Sequence, residues 1–423
     1  MAKQNSTEAV NLQVTERKTC RLCNSDKIIP VFSLGVQYVN NFIKKEDREK
    51  FIKSPLELIL CQNCSLLQLK HTAPQELLYA RFYWYKSGVT ETMRNALRDI
   101  TSKAEKMLSL KKGDVALDIG SNDGTLLRAY NVPGLLLAGV EPADNLAEEG
   151  KRGIDYFIHD FWNYSSYNKT VGKKAKIITA IGMFYDMEDP NQFIEDIAKS
   201  LSDEGIFIAQ LMCLKNMLDK NDVGNICHEH LEYYSFSSLE YLFSRHGLEI
   251  FDVEINEVNG GSYRLYARLK DSKVNTPKGS EERIKKVRED EKDFNGIKPY
   301  MDFFKRIGEN KKQCVEFIKK EVVKGKKVWI YGASTKGNTI LQYYGLDNTL
   351  IEGASERSPW KFGRYTIGSM IPIFSEEDAY KANPDYFLVL PYAFFDEFYK
   401  REEKWRKKGG KFIVPLPEFR VVA

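Results

Sequence analysis

Two closely spaced cysteine pairs constrain the fold of this chain more than any other feature. Cys20 and Cys23 form one C-x2-C pair, Cys61 and Cys64 form a second, and 37 residues separate the pairs. This spacing lets both thiolates of a pair reach one tetrahedral ion, so the two pairs together predict a closed four-cysteine structural zinc site. Two redox pairs are the alternative, which is disfavoured because Cys20 follows a polar run instead of a strand.

The composition of the 423-residue chain excludes several other classes of protein. Its 63 Lys and Arg residues nearly balance 59 Asp and Glu residues, for a net charge of +4, which argues against a protein that binds a polyelectrolyte. The 43% hydrophobic content argues against disorder. No apolar run approaches the length of a membrane span, and the N-terminal residues lack an apolar signal core. We therefore expect a cytoplasmic protein, a monomer or weak homo-oligomer, without membrane or nucleic-acid partners.

A four-cysteine module of this size does not by itself specify a function. It could bind nucleic acid, bind a protein partner or simply stabilise a small domain. The other three cysteines, Cys213, Cys227 and Cys314, are isolated in the sequence, and we expect them to be buried, reduced thiols.

Hydrophobic periodicity predicts an α/β unit after the cysteine-containing segment. Residues 75–110 carry apolar side chains at helical spacing, and beyond them short apolar strands alternate with helical segments. This alternation predicts a parallel sheet with strands at Val115–Ile119, 135–140, 177–181 and 206–212. Residues 249–255 and Ser262–Leu269 follow without an intervening helix and are predicted to form an antiparallel hairpin.

A second, smaller α/β unit is predicted in the last third of the chain. Residues 270–298 are highly charged and indicate a linker that leads into an exposed helix, and the apolar positions from Tyr300 to Val322 predict an amphipathic helix. The predicted strands are Val328–Tyr331, 350–354, 386–390 and 411–415. The expected architecture is therefore a zinc module at residues 1–75, a central Rossmann-like domain at 76–270, a linker with helix at 271–299 and a C-terminal Rossmann-like α/β domain at 300–423.

A strand, a glycine turn and a helix start occur together at residues 116–127, with the sequence ALDIGSNDGTLL. Glycines let the backbone approach a ligand, and an acid at the end of the next strand, here Glu141, can bind two ribose hydroxyls. The loop is not G-x-G-x-x-G, which disfavours a nicotinamide cofactor. A tight turn in an unrelated α/β fold is the other interpretation. The loop resembles the D-x-G-x-x-x-G loop of class I S-adenosylmethionine-dependent methyltransferases.

This resemblance implies a class I methyltransferase domain with S-adenosylmethionine as its cofactor. Asp118 and Gly120 would then hold the methionine moiety, and Glu141 the ribose. The other implied cofactor residues are Ser121, Asn122, Asp123 and Gly124 in the loop, Pro142 beside the acid, and Asp160 and Phe161 at the adenine.

Two of the five histidines flank an acid in the segment His228-Glu229-His230. An imidazole takes up a proton near neutrality and an adjacent carboxylate can orient it, so the segment predicts general acid–base catalysis. A metal site has no obvious third ligand, and a structural role for the histidines is the remaining alternative. In an extended segment, alternation would place His228 and His230 on one side and Glu229 on the other.

A second glycine loop, YGASTKGN at residues 331–338, follows a strand and opens a helix. Backbone amides, hydroxyls and Lys336 at a helix N-terminus suit an anionic phosphate. Asn338 and Thr339 stand where a Walker A loop needs Lys and then Ser or Thr. We therefore predict a phosphate used as a handle, such as a nucleotide diphosphate, and not ATP hydrolysis.

Taken in order, these features resemble the nucleotide-sugar C-methyltransferases that build branched deoxysugars, over essentially the whole chain. The resemblance implies that the substrate is a nucleotide-diphospho 4-keto-6-deoxy sugar, methylated at carbon 3 or less often at carbon 5. His230 would be the base, Glu229 would support it, and His228 or a tyrosine such as Tyr83 could donate to the keto oxygen. The residues implied to contact the substrate are Tyr83, Tyr85, Ser334, Lys336 and Asn338, with Glu356 and Arg357 after the next strand.

Three positions depart from the pattern of that family. Cys227 stands where a tyrosine precedes the histidine segment, Asp186 stands where a further histidine lies, and Lys86 stands where arginine is common. All three are expected near the sugar, so they bear on which sugar is accepted and which carbon is methylated.

An RNA or protein methyltransferase is the alternative function, which the balanced charge disfavours. A non-catalytic binding protein would leave His230 without a role.

Overall fold

The computed structural model describes residues 13–74, 78–79 and 83–423. Parts of the predicted helical region, residues 75–77 and 80–82, lie outside the described residues. Among the described helices, none is both long and apolar enough to cross a membrane.

The N-terminal module is a small antiparallel sheet built around the cysteine pairs. Its strands are β1 (Thr15–Glu16), β2 (Ile28–Tyr38), β3 (Phe42–Ile43), β4 (Lys53–Cys61), β5 (Leu67–Leu69) and β6 (His71–Thr72). Strand β2 pairs with β4, and β4 pairs with β5. The alternating leucines of β4 are buried.

The four predicted zinc ligands lie together. Their sulfur atoms are all within 4.8 Å of one another, and two of the Sγ–Sγ distances, Cys20 to Cys64 and Cys23 to Cys61, are 3.5 Å. A tetrahedral zinc ion with Zn–S bonds of about 2.3 Å needs sulfur atoms about 3.8 Å apart. The cluster therefore fits zinc, and it is closed because all four positions are thiolates.

The central domain is a seven-stranded sheet with helices on its faces. Its helices are α1 (Glu91–Met107), α2 (Asp144–Gly150), α3 (Tyr164–Val171), α4 (Pro190–Ser200), α5 (Leu214–Asp219), α6 (Phe236–Arg245) and α7 (Ser280–Asp290). Its strands are β7 (Val115–Ile119), β8 (Leu136–Val140), β9 (Tyr156–Ile158), β10 (Ala175–Ile181), β11 (Leu201–Met212), β13 (Leu248–Asn256) and β14 (Ser262–Leu269), in the spatial order β13-β14-β11-β10-β7-β8-β9. Strands β7 to β11 are parallel, and the hairpin β13–β14 adds antiparallel to β11, which confirms the predicted parallel sheet and its closing hairpin.

One short strand of the central part of the chain joins the other sheet. Strand β12 (Glu232–Tyr233) pairs antiparallel with β5, so the sheet of the N-terminal module has the order β12-β5-β4-β2. The histidine segment ends immediately before this strand.

The C-terminal domain is a six-stranded sheet preceded by the long helix α8 (Lys298–Val323). Its elements are β15 (Val328–Tyr331), α9 (Thr335–Tyr344), β16 (Gly353–Glu356), β17 (Tyr365–Thr366), β18 (Ile373–Ser375), α10 (Glu376–Lys381), β19 (Tyr386–Val389), α11 (Phe395–Arg401), α12 (Glu403–Lys407), β20 (Lys411–Val414) and β21 (Arg420–Val422). The sheet order is β18-β16-β15-β19-β20-β21, and all pairs but the last are parallel. The short pair β3–β17 connects this domain to the N-terminal module.

The structure specifies three local details. The segment predicted as a linker that leads into helix contains helix α7, which packs on β13 with Val287 buried, and Phe294 is buried just after it. The strand predicted at 350–354 begins only at Gly353. Helix α1 begins at Glu91, where the Thr90 side chain accepts a hydrogen bond from Met93 N, so residues 83–86 are not helical.

We expect one zinc ion per chain, held by the four cysteines. Cys61→Ser removes one thiolate and should abolish stoichiometric zinc and lower the unfolding temperature, because a metal that binds only the folded module contributes its binding energy to folding. Emission spectrometry and thermal unfolding measure both effects. Cys314→Ser, a buried thiol of α8 outside the cluster, is the control and should retain zinc. A zinc-free wild-type protein with unchanged stability would contradict the assignment.

Candidate active site

A cavity of about 650 Å³ lies where the three parts of the chain meet. Asn40 lines it from the N-terminal module, Asp118 and His230 line it from the central domain, and Lys336 lines it from the C-terminal domain. The carboxyl ends of the parallel strands β7, β8 and β10 open toward it, which is where ligands bind in open α/β sheets.

The first glycine loop forms one end of the cavity. Gly120 has a φ of 69°, and a Cβ atom there would lie 3.0 Å from Met183 Cγ, so the turn requires glycine. The Glu141 carboxylate accepts hydrogen bonds from Asn122 N at 2.8 Å and from Ala143 N at 2.9 Å. This acid, at the end of β8, therefore braces the loop that follows β7.

Asp118 is a buried acid at the same end. Its carboxyl has a pKa raised to about 7, chiefly by burial and also by the nearby Glu141 and Asp123 carboxylates, against the opposing effect of a hydrogen bond from the Thr179 hydroxyl at 2.6 Å. A positively charged ligand group beside Asp118 would favour its ionised form.

The cavity includes some of the predicted cofactor residues and omits others. Those that line it are Asp118, Gly120, Ser121, Asn122, Glu141, Pro142 and Phe161. Asp123, Gly124 and Asp160 do not line it. Asp123 instead accepts hydrogen bonds from Gly88 N and Thr125 N, and Asp160 accepts one from Phe161 N. These two acids hold the backbone of the flanking segments.

The histidine segment is a turn and not a strand. His230 N donates to Cys227 O at 3.1 Å, which places Glu229 and His230 at the cavity and turns His228 away from it. His228 Nε2 lies 3.0 Å from the backbone oxygen of Ser54 in β4. The alternation of an extended segment therefore does not apply here, and His228, a candidate donor to the keto oxygen, is turned away from the cavity.

His230 is buried in a defined orientation. Its Nδ1 lies 2.8 Å from the backbone oxygen of Asn225, and its ring meets the edge of the Tyr185 ring with 4.5 Å between centroids. Because a carbonyl oxygen only accepts, this contact assigns the proton to Nδ1 and leaves the lone pair on Nε2. Burial, and then the positive charge of Lys336, lower the pKa of His230 to about 3, so the imidazole is neutral at physiological pH.

The acids around His230 are also held toward their neutral forms. Burial raises the pKa of Glu229, whose Oε2 accepts a hydrogen bond from Asn40 Nδ2 at 2.9 Å. Burial, and then the Glu232 and Glu229 carboxylates, raise the pKa of Asp186 well above its ordinary value. Burial likewise raises the pKa of the Cys227 thiol.

Some of the residues predicted to contact the substrate line the cavity and others do not. Tyr83, Tyr85, Asp186, Cys227, Ser334 and Lys336 line the cavity, whereas Lys86, Asn338, Glu356 and Arg357 do not. Lys86 pairs with Glu149 at 2.6 Å, and Asn338 Nδ2 donates to Asn41 O at 3.0 Å. Glu356 accepts hydrogen bonds from the backbone of its own domain.

Several cavity residues had not been predicted. Asn40, Asp222, Asn225 and Tyr392 line the cavity without belonging to a recognisable sequence motif. Tyr392 was accessible to sequence reasoning, because it follows the carboxyl end of the parallel strand β19. Asn40 was not, since only the packing of the N-terminal module brings it there.

Comparison with protein families assigns all three parts of the chain. Residues 20–79 match a family described as "Putative zinc binding domain", residues 89–253 match "Methyltransferase domain", and residues 257–417 match "C-methyltransferase C-terminal domain".

One relative and two solved structures illustrate what this chain is similar to. C-methyltransferase NovU of Streptomyces niveus is 29% identical over 422 residues, which cover 96% of each chain. The plantazolicin methyltransferase BpumL in complex with SAH is 14% identical, with a TM-score of 0.33 over 42% of this chain and 83% of its own. Magnesium protoporphyrin IX methyltransferase from Synechocystis PCC 6803 with bound SAH is 12% identical, with a TM-score of 0.32 over 44% and 90%.

The three family matches follow one another along the chain: the first contains the four-cysteine cluster, the second contains the parallel strands β7 to β11, and the third contains β14 and most of the C-terminal sheet. The chain therefore combines a putative zinc-binding domain, a methyltransferase domain and a C-methyltransferase C-terminal domain, which is the composition of an S-adenosylmethionine-dependent C-methyltransferase.

Proposed function

We propose that this protein transfers a methyl group from S-adenosylmethionine to carbon 3 of a nucleotide-diphospho 4-keto-6-deoxy sugar. One observation carries the proposal: a neutral imidazole, with its lone pair on Nε2, lies in the same cavity as the cofactor loop and Lys336. A base buried inside a cavity between three domains suits a small acceptor better than an RNA or protein chain. The relative NovU is a C-methyltransferase, which agrees with transfer to carbon.

The residues at the glycine loop fit the cofactor. Glu141 would accept hydrogen bonds from ribose hydroxyls, Gly120 leaves room for close approach of the ligand, and Asp118 offers a carboxyl for the positive methionine end. When bound, S-adenosylmethionine supplies an electrophilic methyl group on a sulfonium.

The proposed reaction begins with proton removal from the sugar. A C–H bond next to a keto group is acidic enough for a positioned base, so Nε2 of His230 takes the carbon-3 proton and the electron pair moves into an enolate. With S-adenosylmethionine held at the glycine loop, its sulfonium would supply the methyl group to this enolate carbon, with S-adenosylhomocysteine as the leaving group. The imidazolium returns its proton to solvent. We place the Tyr83 hydroxyl near the keto oxygen as its hydrogen-bond donor. His228 cannot take this role because it is turned away from the cavity.

Lys336 and Ser334 would hold the diphosphate at the start of α9. Ser334 caps this helix, with its Oγ accepting a hydrogen bond from Gly337 N at 3.0 Å. A diphosphate that pairs with Lys336 would also offset the charge that lowers the pKa of His230, and would thereby make the imidazole a stronger base once the substrate is in place.

Methyl transfer is tested with labelled S-adenosylmethionine and a panel of nucleotide 4-ketosugars. We expect one methyl group at carbon 3 of a ketosugar, located by NMR, and solvent deuterium exchange at that carbon. His230→Gln should lower the exchange rate at least about 100-fold, the usual scale for losing a general base, while S-adenosylmethionine still binds. His246→Gln, a histidine outside the cavity, should exchange like the wild type. Absence of transfer to every ketosugar would refute the proposal.

The protonation state of His230 is tested by NMR of the histidine ring nitrogens. We expect the neutral Nδ1–H form without titration between pH 8 and about pH 5, because burial and Lys336 keep the pKa far below this range. Lys336→Met removes a positive neighbour and should raise the pKa, and Lys336→Arg should not. His230→Gln assigns the resonance. Titration of the wild-type ring near the ordinary value of 6.5 would contradict the assignment.

Cofactor affinity should depend on pH through Asp118. Its carboxyl is protonated below pH 7, so the Kd for S-adenosylmethionine should increase roughly tenfold from pH 8 to pH 6. Calorimetry on the wild type and Asp118→Asn separates this effect from the titration of the ligand amine, which both proteins share. Identical pH dependence in the two proteins would show that Asp118 does not contact the cofactor.

A further inference from the structure

The active-site segment is physically part of the zinc module. Strand β12 begins two residues after His230, and it pairs with β5 so that Glu232 lies opposite Gln68 and Tyr233 opposite Leu67. Leu69 N also donates to Leu231 O at 2.9 Å. The backbone that follows the proposed base is therefore fixed by the edge strand of the zinc-binding sheet.

A second segment that lines the cavity is hydrogen-bonded to the start of strand β12. Residues 182–189 follow strand β10 and line the cavity, with Asp186 and Glu188 among them. The backbone oxygen of Tyr185 in this segment accepts hydrogen bonds from Leu231 N at 2.9 Å and Glu232 N at 3.1 Å. The two segments, 182–189 and 227–232, are consequently joined to each other beside His230.

Arg21 lies at the junction of both segments with the zinc knuckle. It is one of the two residues between Cys20 and Cys23, and its side chain is fully buried. The guanidinium donates from Nε to Glu188 Oε2 at 3.2 Å, from one terminal nitrogen to Thr72 Oγ1 at 2.6 Å, and from the other to the backbone oxygen of Leu69. Thr72 in turn donates to Glu188 Oε2 at 2.7 Å.

The same guanidinium is connected to a zinc ligand. Gln68 Oε1 accepts from Arg21 at 3.2 Å, and Gln68 Nε2 donates to Cys20 Sγ at 3.2 Å. The carboxylate of Glu232 lies 3.9 Å from Arg21 Nε, and both side chains have no exposed surface. The planar guanidinium has five N–H donors and can hydrogen-bond to all of these partners simultaneously, which a lysine ammonium cannot.

We propose that Arg21 is a positioning residue, through which the zinc knuckle holds segments 182–189 and 227–232 and thereby the orientation of His230 in the cavity. The zinc module on this view contributes to catalysis without touching the reacting atoms. The consequence for turnover rests on the proposed function, whereas the positioning itself does not.

The experiment measures amide hydrogen exchange by mass spectrometry in the zinc-loaded protein. Arg21→Lys keeps the positive charge but removes the guanidinium with its several hydrogen-bond donors. Thr72→Val removes the hydroxyl that accepts from Arg21, with little change in side-chain shape. We expect both variants to retain one zinc per chain, with exchange of peptides covering 182–189 and 226–232 accelerated about tenfold or more. The control is Arg283→Lys, which alters an ion pair with buried Asp252 away from the cavity and should affect only peptides near α7 and β13.

Kinetics provide the second readout. A displaced base should lower kcat for ketosugar methylation about 10- to 100-fold, with the Kd for S-adenosylmethionine within about twofold of the wild type. Unchanged exchange in both peptides, or loss of zinc with uniformly faster exchange across the module, would overturn the proposal. If no ketosugar is methylated by the wild type, the proposed function fails while the exchange result still decides the role of Arg21.

Discussion

The antiparallel pairing of Glu232–Tyr233 with Leu67–Leu69 joins the zinc module to the methyltransferase domain, and the enclosure of the active site depends on it. A strand register determines which face each side chain occupies, and a shift by one residue exchanges the faces. His230 lies two residues before the paired strand, so this register and the preceding turn together place its imidazole in the cavity. The four-sulfur cluster would maintain this register, because it stabilises the sheet to which the partner strand β5 belongs.

Burial gives the cavity its chemical character. The same removal of water lowers the pKa of His230 and raises the pKa of Glu229, Asp186 and Cys227, so every one of these groups is held toward its neutral form. Lys336 then has a large influence, because a charge acts over a longer range where few other charges and little water screen it. An anionic substrate is the natural complement of such a site, since it brings the compensating charge with it.

The sequence motifs predicted local structure well, but they predicted less well which residues come together at the cavity. Cysteine spacing predicted the four-sulfur cluster, and strand alternation predicted both parallel sheets, because these signals arise from a few neighbouring residues. The side of His228 was not predictable from alternation, because the segment forms a turn and alternation describes only an extended segment. Helix α7 was predicted only as part of a segment of linker and helix, because its buried face contains little more than Val287. Asn40 and Asp222 carry no local signal, and only tertiary packing brings them to the cavity.

The two glycine loops show how similar folds come to contribute differently to one site. In each, an acid at the end of the second strand accepts a hydrogen bond from the first loop: Glu141 from Asn122 N, and Glu356 from Ala333 N. Glu141 lines the cavity, and the hydrogen bonds it accepts within the described part of the chain come from the backbone amides of Asn122 and Ala143, which is compatible with the ribose contact of the proposed function. Glu356 also pairs with Lys361 at 3.2 Å and lies outside the cavity. Under the proposed function, Ser334 and Lys336 of the C-terminal domain would hold an anionic group, whereas Glu141 of the central domain would accept from hydroxyl groups.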